Sequence, residues 1–157
     1  QLIEGILLSS RLDAMQRLDE VEEIDVLALA AEEASRYDDI NVSGQSVLVR
    51  GDARLLRRLL RNLLDNAVHH GKPPVDVTVA PNATHVLLTV SDHGAGIPEG
   101  DREKVFEPFF KKPSSTGADR SMGLGLALVR QIATLHGGSS RVDTGSSIVI
   151  SLPRCGI

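Results

Sequence analysis

Asn62 and Asn66 lie one helical turn apart in "NLLDNAVHHG", residues 62 to 71, with Asp65 and His69 flanking them on the same helix. Asparagine is a poor helix former, so two of them in a helix interior ask for a reason beyond solvation. A carboxamide oxygen is a neutral, hard donor. It suits Mg²⁺, which prefers oxygen and keeps several waters when it also binds phosphates. The ordinary alternative is a solvated polar face opposite a leucine stripe.

Two further segments carry related chemistry. In "DHGAGIP" Asp92 stands at a strand end, followed by Gly94, Gly96 and Ile97. A carboxylate there can accept from an exocyclic amine such as that of adenine, and the glycines let a flat ring approach the backbone. Alone, the motif is also compatible with a plain turn. In "SMGLGLALV" Gly123 and Gly125 open a helix, where free backbone amides and the helix dipole favour an anion. Between these segments, "FEPFFKK" holds Phe106, Phe109 and Phe110, all the phenylalanines of the chain. Their clustering suggests an apolar latch, with Lys111, Lys112 and Arg120 supplying positive charge for a phosphate tail.

These residues need elements to position them. Leu56, Leu59, Leu60, Leu63, Leu64 and Ala67 form the apolar stripe of a long helix from about Asp52 to His70, ended by Gly71, Pro73 and Pro74. "VDVTVA" and "HVLLTVSD" alternate around "PNAT" as an antiparallel hairpin, and its second strand runs into Asp92. "INVSG" and "SVLVRG" read as short edge strands, "VLALAAEEASRY" as a helix capped by Asp25, and "SSIVISLP" as a final strand. Residues 98 to 122 are irregular, as in a mobile loop.

At the amino end, "LIEGILLSSRLDAMQRL" has the spacing of an amphipathic helix, and acidic "DEVEEID" reads as a linker after it. With 157 residues, 41% hydrophobic, the chain suits one α/β or α+β domain. A formal net charge of −4 argues against nucleic acid or an anionic membrane as partner. The single cysteine, Cys155, excludes an internal disulfide framework.

The order of these segments is more specific than any one of them. An asparagine helix, an Asp-x-Gly-x-Gly turn, a phenylalanine cluster, a loop and a Gly-x-Gly helix resemble the ATP-binding catalytic domain of sensor histidine kinases. "NLLDNAVHH" resembles its N box, "DHGAGIP" its first glycine box, "FEPFF" its F box and "GLGL" its second glycine box. The amino-terminal helix resembles the end of the dimerisation helix that precedes such domains.

The resemblance implies the Bergerat ATP-binding fold, a two-layer α/β sandwich of a mixed, mainly antiparallel sheet and three helices. It implies a division into residues 1–23, the end of a dimerisation helix and a linker, and residues 24–157, the catalytic domain. Asn66 and Asn62 become the Mg²⁺ ligands and catalytic residues. The expected ATP contacts are Asn62, Asn66, His69, Asp92, Gly94, Gly96, Ile97, Phe110, Lys111, Gly123, Leu124, Gly125 and Leu126. A lid would run from about Lys111 to Met122. Related gyrase- and chaperone-type ATPases carry a water-activating glutamate where this chain has Asn62, which cannot act as a general base. The implied protein holds Mg-ATP, suppresses hydrolysis and leaves the γ-phosphate for a histidine.

Partners implied in the same way are a dimerisation and phosphoacceptor domain of the parent chain, a cognate response regulator, and a second copy of the parent in a homodimer. The implied location is the cytoplasm. Four departures from the family pattern stand out: His69 and His70 replace a basic and an aromatic residue, Ser121 replaces a glycine, "GGSSRVDTGSS" is a short hairpin, and no histidine lies in a phosphoacceptor motif. His85 and His136 read as structural, whereas His93 can line the site. Two other functions stay open at this level: an anti-sigma-type serine kinase, and a non-catalytic nucleotide-sensing module.

Overall fold

The leucine stripe does bury. In the computed structural model, which describes residues 20–107, 124–143 and 145–155, helix α2 spans Ala53–His70. Its Leu55, Leu56, Leu59, Leu60, Leu63, Leu64 and Ala67 are all buried. Each fully buried leucine contributes on the order of 1.5–3 kcal/mol, which outweighs the modest helix cost of two asparagines. The Asp52 carboxylate caps the start by accepting from Arg54 N–H at 3.0 Å. At the other end Gly71 N–H donates to the Ala67 carbonyl.

Strands β1 (Val21–Asp25), β2 (Ile40–Gly44), β3 (Leu48–Asp52), β4 (Val75–Pro81), β5 (His85–Ser91), β6 (Ser139–Val142) and β7 (Ile148–Pro153) alternate with helices α1 (Val26–Ala34), α2 and α3 (Leu124–Leu135). Five of them form a sheet in the order β2-β4-β5-β7-β6, parallel between β2 and β4 and antiparallel elsewhere. The hairpin expected around "PNAT" is β4–β5, with Val79 opposite Leu88. Asn82 Oδ1 closes its turn by accepting from Thr84 and His85 N–H. Alternation buries Val75, Val77, Val79, Val86, Leu88 and Val90 on the side that packs against the helices. The result is the expected two-layer sandwich with a mixed, mainly antiparallel sheet.

The acidic stretch expected as a linker is instead part of the fold. β1 pairs antiparallel with β3 in a separate two-stranded ribbon, setting Ile24 opposite Val49, both buried. The strand runs through the expected boundary between residues 23 and 24. One buried isoleucine and a ladder of backbone hydrogen bonds hold a strand whose Val21, Glu22 and Glu23 are exposed.

Asp25 ends this strand and caps α1, accepting from Ala28 N–H at 3.0 Å through Oδ1 and from the Ser46 hydroxyl through Oδ2. The Ser46 hydrogen bond, followed by that from Ala28, holds the Asp25 carboxyl below its ordinary value. A depressed folded pKa gives stability that is present above the unfolded pKa and lost as pH falls through the folded one. Urea unfolding of the Asp25→Asn variant between about pH 2 and pH 7 is therefore expected to show a shallower acid limb than the parent. Equal slopes would refute this linkage.

Two buried polar groups tie the helices to one another. Glu33 of α1, 2% exposed, meets Arg57 and Arg61 of α2 at 3.3 and 3.4 Å. His136, just beyond α3, accepts from Asp52 N–H at 3.1 Å through Nε2, so Nδ1 carries the proton and donates to the Ile132 carbonyl at 2.8 Å. Gly51 makes room for that ring, since a Cβ there would lie 2.6 Å from it. His136 thus has the structural role expected of it.

Candidate functional site

Helix α2 carries the site along its length. Asn62 and Asn66 are half-buried at the edge of the leucine stripe. Asn62 Nδ2 faces the Gly125 carbonyl at 3.4 Å, and a Cβ on Gly125 would touch Asn62 Cβ at 3.7 Å. The asparagine helix and the helix opened by the second glycine box therefore meet. Among the described residues, the Asn66 carboxamide makes no hydrogen bond, and Asn62 keeps its oxygen free of one.

Asp65 turns elsewhere. Its carboxylate accepts from the Tyr37 hydroxyl in the α1–β2 connection. Burial, then this hydrogen bond, push the Tyr37 phenol above its usual range. Asp65 therefore serves to tie α2 to α1. His69 is exposed on the last turn of α2.

Nine residues separate Asn62 from Gly71, which at 1.5 Å per residue is about 13 Å along the helix. At that far end the Asp92 turn docks. Asp92 Oδ1 accepts from Gly94 N–H at 2.6 Å and from Lys72 N–H at 3.4 Å. His93 N–H donates to the Lys72 carbonyl at 2.8 Å, and the His93 ring pairs through Nδ1 with the Pro74 carbonyl. From the other side, the β6–β7 loop holds the same turn: Ser146 Oγ donates to the Asp92 carbonyl at 2.8 Å, and Ile97 N–H to the Gly145 carbonyl. Gly96 has φ +89° and lies against Gly145, where a Cβ would approach the backbone to 3.0 Å. Both glycine freedom and glycine size are used there.

Ile97 and Leu126 are 6% exposed and belong to the core beneath the site. α3 begins at Leu124. Phe110, Lys111 and Gly123, with Phe109, Lys112, Arg120, Ser121 and the expected lid, lie outside the described residues, as does the amino-terminal helix. The three-phenylalanine latch needs one correction. Phe106 is a core residue, 3% exposed, with the Arg130 guanidinium 4.1 Å over its ring. Arg130 also binds Ser140 and Glu103, so Phe106 anchors the segment leading out of the first glycine box.

Sequence reasoning missed the contributions of Gly71, Gly145 and Ser146 to this site. Gly71 reads only as a helix stop, and nothing local marks Ser146, because its partner is 54 residues away.

The metal expected here can be tested against the donors. Two carboxamides at i and i+4 supply neutral oxygens, and the described residues hold no cluster of three His, Cys, Asp or Glu that would form an all-protein cage. Such a set suits an ion carried mainly by phosphates and water.

A one-sided α/β sandwich whose long helix carries two amides in its C-terminal half, with a carboxylate turn docked just beyond its C-terminus, defines a nucleotide-binding domain. The chain belongs to the histidine kinase-, DNA gyrase B- and HSP90-like ATPases, whose family model matches residues 51–155. It is 33% identical to the sensor-like histidine kinase SenX3 of Mycolicibacterium smegmatis, over 92% of this chain and 42% of that protein. It is 37% identical to the sensor-type histidine kinase PrrB of Mycobacterium tuberculosis, over 82% and 30%. The chain thus spans less than half the length of these relatives. Among solved structures, the mycobacterial sensor histidine kinase MprB superposes with a TM-score of 0.72 at 34% identity, covering 88% of this chain and all of that one. The ATP-binding domain of PrrB from Mycobacterium tuberculosis gives 0.68 at 32% identity, with the same coverage. This chain is an ATP-binding domain of the sensor histidine kinase type.

Proposed function

We propose that this chain is the catalytic part of a two-component sensor kinase and transfers the γ-phosphate of ATP to a histidine carried elsewhere in its parent protein. The observation that carries the reading is the meeting of Asn62 with Gly125, which sets the amide helix beside the glycine-opened helix midway along α2, while Asp92 waits beyond its C-terminal end.

Asp92 reads adenine. Its Oδ1 is engaged by Gly94 N–H, which leaves Oδ2 to accept from the exocyclic amine. Gly94, Gly96 and Ile97 shape the wall of the base pocket, and Gly123, Leu124, Gly125 and Leu126 form the phosphate end, joined by His69, Phe110 and Lys111. Asn66 and Asn62 would hold Mg²⁺ through their carboxamide oxygens. When bound, the ion neutralises charge on the phosphates. No group at position 62 can take a proton from water, and the nearest carboxylate on the helix, Asp65, is committed to Tyr37. This protects ATP from hydrolysis. In the transfer itself, the bond between the γ-phosphorus and the bridging oxygen breaks as an imidazole nitrogen bonds to phosphorus, and ADP leaves.

The acceptor belongs to a dimerisation domain of the same parent, whose last helix would include the amino-terminal stripe that precedes β1. A homodimeric parent and a response regulator complete the relay, and nucleic acid has no part in it. Among the described residues no helix is long and apolar enough to cross a membrane. Because ATP is the substrate, we place the domain in the cytoplasm.

The test is to mix this chain with the upstream part of its parent, add labelled Mg-ATP, and examine the acid stability of the phosphoprotein. Acid-labile label is expected. Acid-stable label, or none despite ATP binding, would overturn the reading.

A further inference from the structure

Gly71 follows α2 with φ −106°, an extended conformation open to any residue, so its backbone does not call for glycine. Space does. A Cβ on Gly71 would lie 2.2 Å from Cγ, 2.3 Å from Oδ2 and 2.5 Å from Oδ1 of Asp92. The carboxylate occupies the volume that a side chain at position 71 would fill. It is also fastened there, because Gly94 N–H and Lys72 N–H, one on either side of it in the fold, both donate to Oδ1. Gly94 contributes to the same packing, with its own Cβ position 2.9 Å from Oδ1 and 3.2 Å from Gly71 Cα.

We propose that Gly71 is a positioning residue for nucleotide recognition: the missing side chain seats the Asp92 carboxylate against the end of α2 and so sets the preference for adenine over guanine. The proposal rests on the reading of Asp92 as the adenine acceptor and adds to it a residue that need not touch the ligand. A methyl at position 71 and the carboxylate cannot share one volume. Since Asp92 has only two side-chain torsions, the carboxylate must swing off its two backbone donors.

The experiment measures the affinity of this chain for Mg-ATP and Mg-GTP in Gly71→Ala, Asp92→Ala and the double variant, together with the Gly94 amide proton shift by NMR. Gly71→Ala is expected to weaken ATP about tenfold, to leave GTP nearly unchanged, and to move the Gly94 amide upfield as its acceptor leaves. In the Asp92→Ala background the same substitution is expected to do nothing further. An equal loss in both backgrounds would overturn the proposal, because the effect would then not pass through Asp92. If Asp92→Ala itself keeps full preference for ATP, the adenine reading fails independently of Gly71. Should Gly71→Ala alone not fold, removal of the carboxylate in the double variant must restore folding, and failure to do so sinks the proposal.

Discussion

Asn66→Ala is expected to abolish Mg²⁺-dependent transfer of label to the histidine domain while leaving the fold intact. The two halves of that expectation separate a site residue from a structural one. Asn66 is half-buried, and among the described residues it holds no hydrogen bond, so its removal breaks no internal hydrogen bond. Alanine is the better helix former, which makes the helix more stable by a few tenths of a kcal/mol. A variant with an unchanged or slightly raised melting temperature and no transfer therefore cannot have lost activity through unfolding. The size of the loss follows from losing one positioned oxygen at the transferring group, about 10²-fold or more. Transfer should be followed over a titration of Mg²⁺. Near-wild-type transfer at every concentration would remove Asn66 from the site.

Asp92→Asn is the sharper test of the base-reading part of the site. The variant keeps one carbonyl oxygen, so the hydrogen bond from Gly94 N–H that shapes the turn can persist. The atom facing the base becomes an NH₂, a donor opposed to the amine of adenine. Losing a charge-assisted hydrogen bond of about 1.5–3 kcal/mol corresponds to a drop in ATP affinity of roughly 10- to 100-fold. Guanine, which presents an acceptor at the same place, should lose less or gain. The ratio of the two affinities, measured by calorimetry, is the informative quantity. A uniform loss for both nucleotides would speak for a damaged turn and against base reading by Asp92.

The two expectations differ in kind because the middle of α2 and its C-terminal end are built differently. At the C-terminal end, the Gly94 and Lys72 amides and the space left by Gly71 fix the Asp92 carboxylate, while Ser146 holds the Asp92 backbone and Gly145 the turn that follows. Preorganisation of this sort favours selective binding at little entropic cost. Midway along the helix, Asn62 faces the start of α3 across a single long contact. The charge partners of the two amides are expected to arrive with the ligand.

The sequence by itself determined the local features and their order. The leucine period of α2 with its Asp52 cap, the β4–β5 hairpin, the Asp25 cap of α1 and the spacing of the asparagines and glycines all rest on interactions within a few residues, and those are written in periodicity and turn chemistry. The ordered boxes were legible for the same reason. What only the tertiary structure decided depends on which strands become neighbours. Parallel pairing of β2 with β4 makes β3 and α2 the crossover between two adjacent strands, and the acidic β1 pairs with β3. His136 reaches Asp52 across 84 residues, Asp65 is drawn to Tyr37, and Phe106 sinks into the core under Arg130. The Asp92 carboxylate settles where Gly71 has no side chain, and Ser146 comes from the far end of the chain to hold its backbone. Each of these is a contact of long sequence separation, fixed by burial and sheet order after the local elements exist, and no local pattern of residue types encodes it.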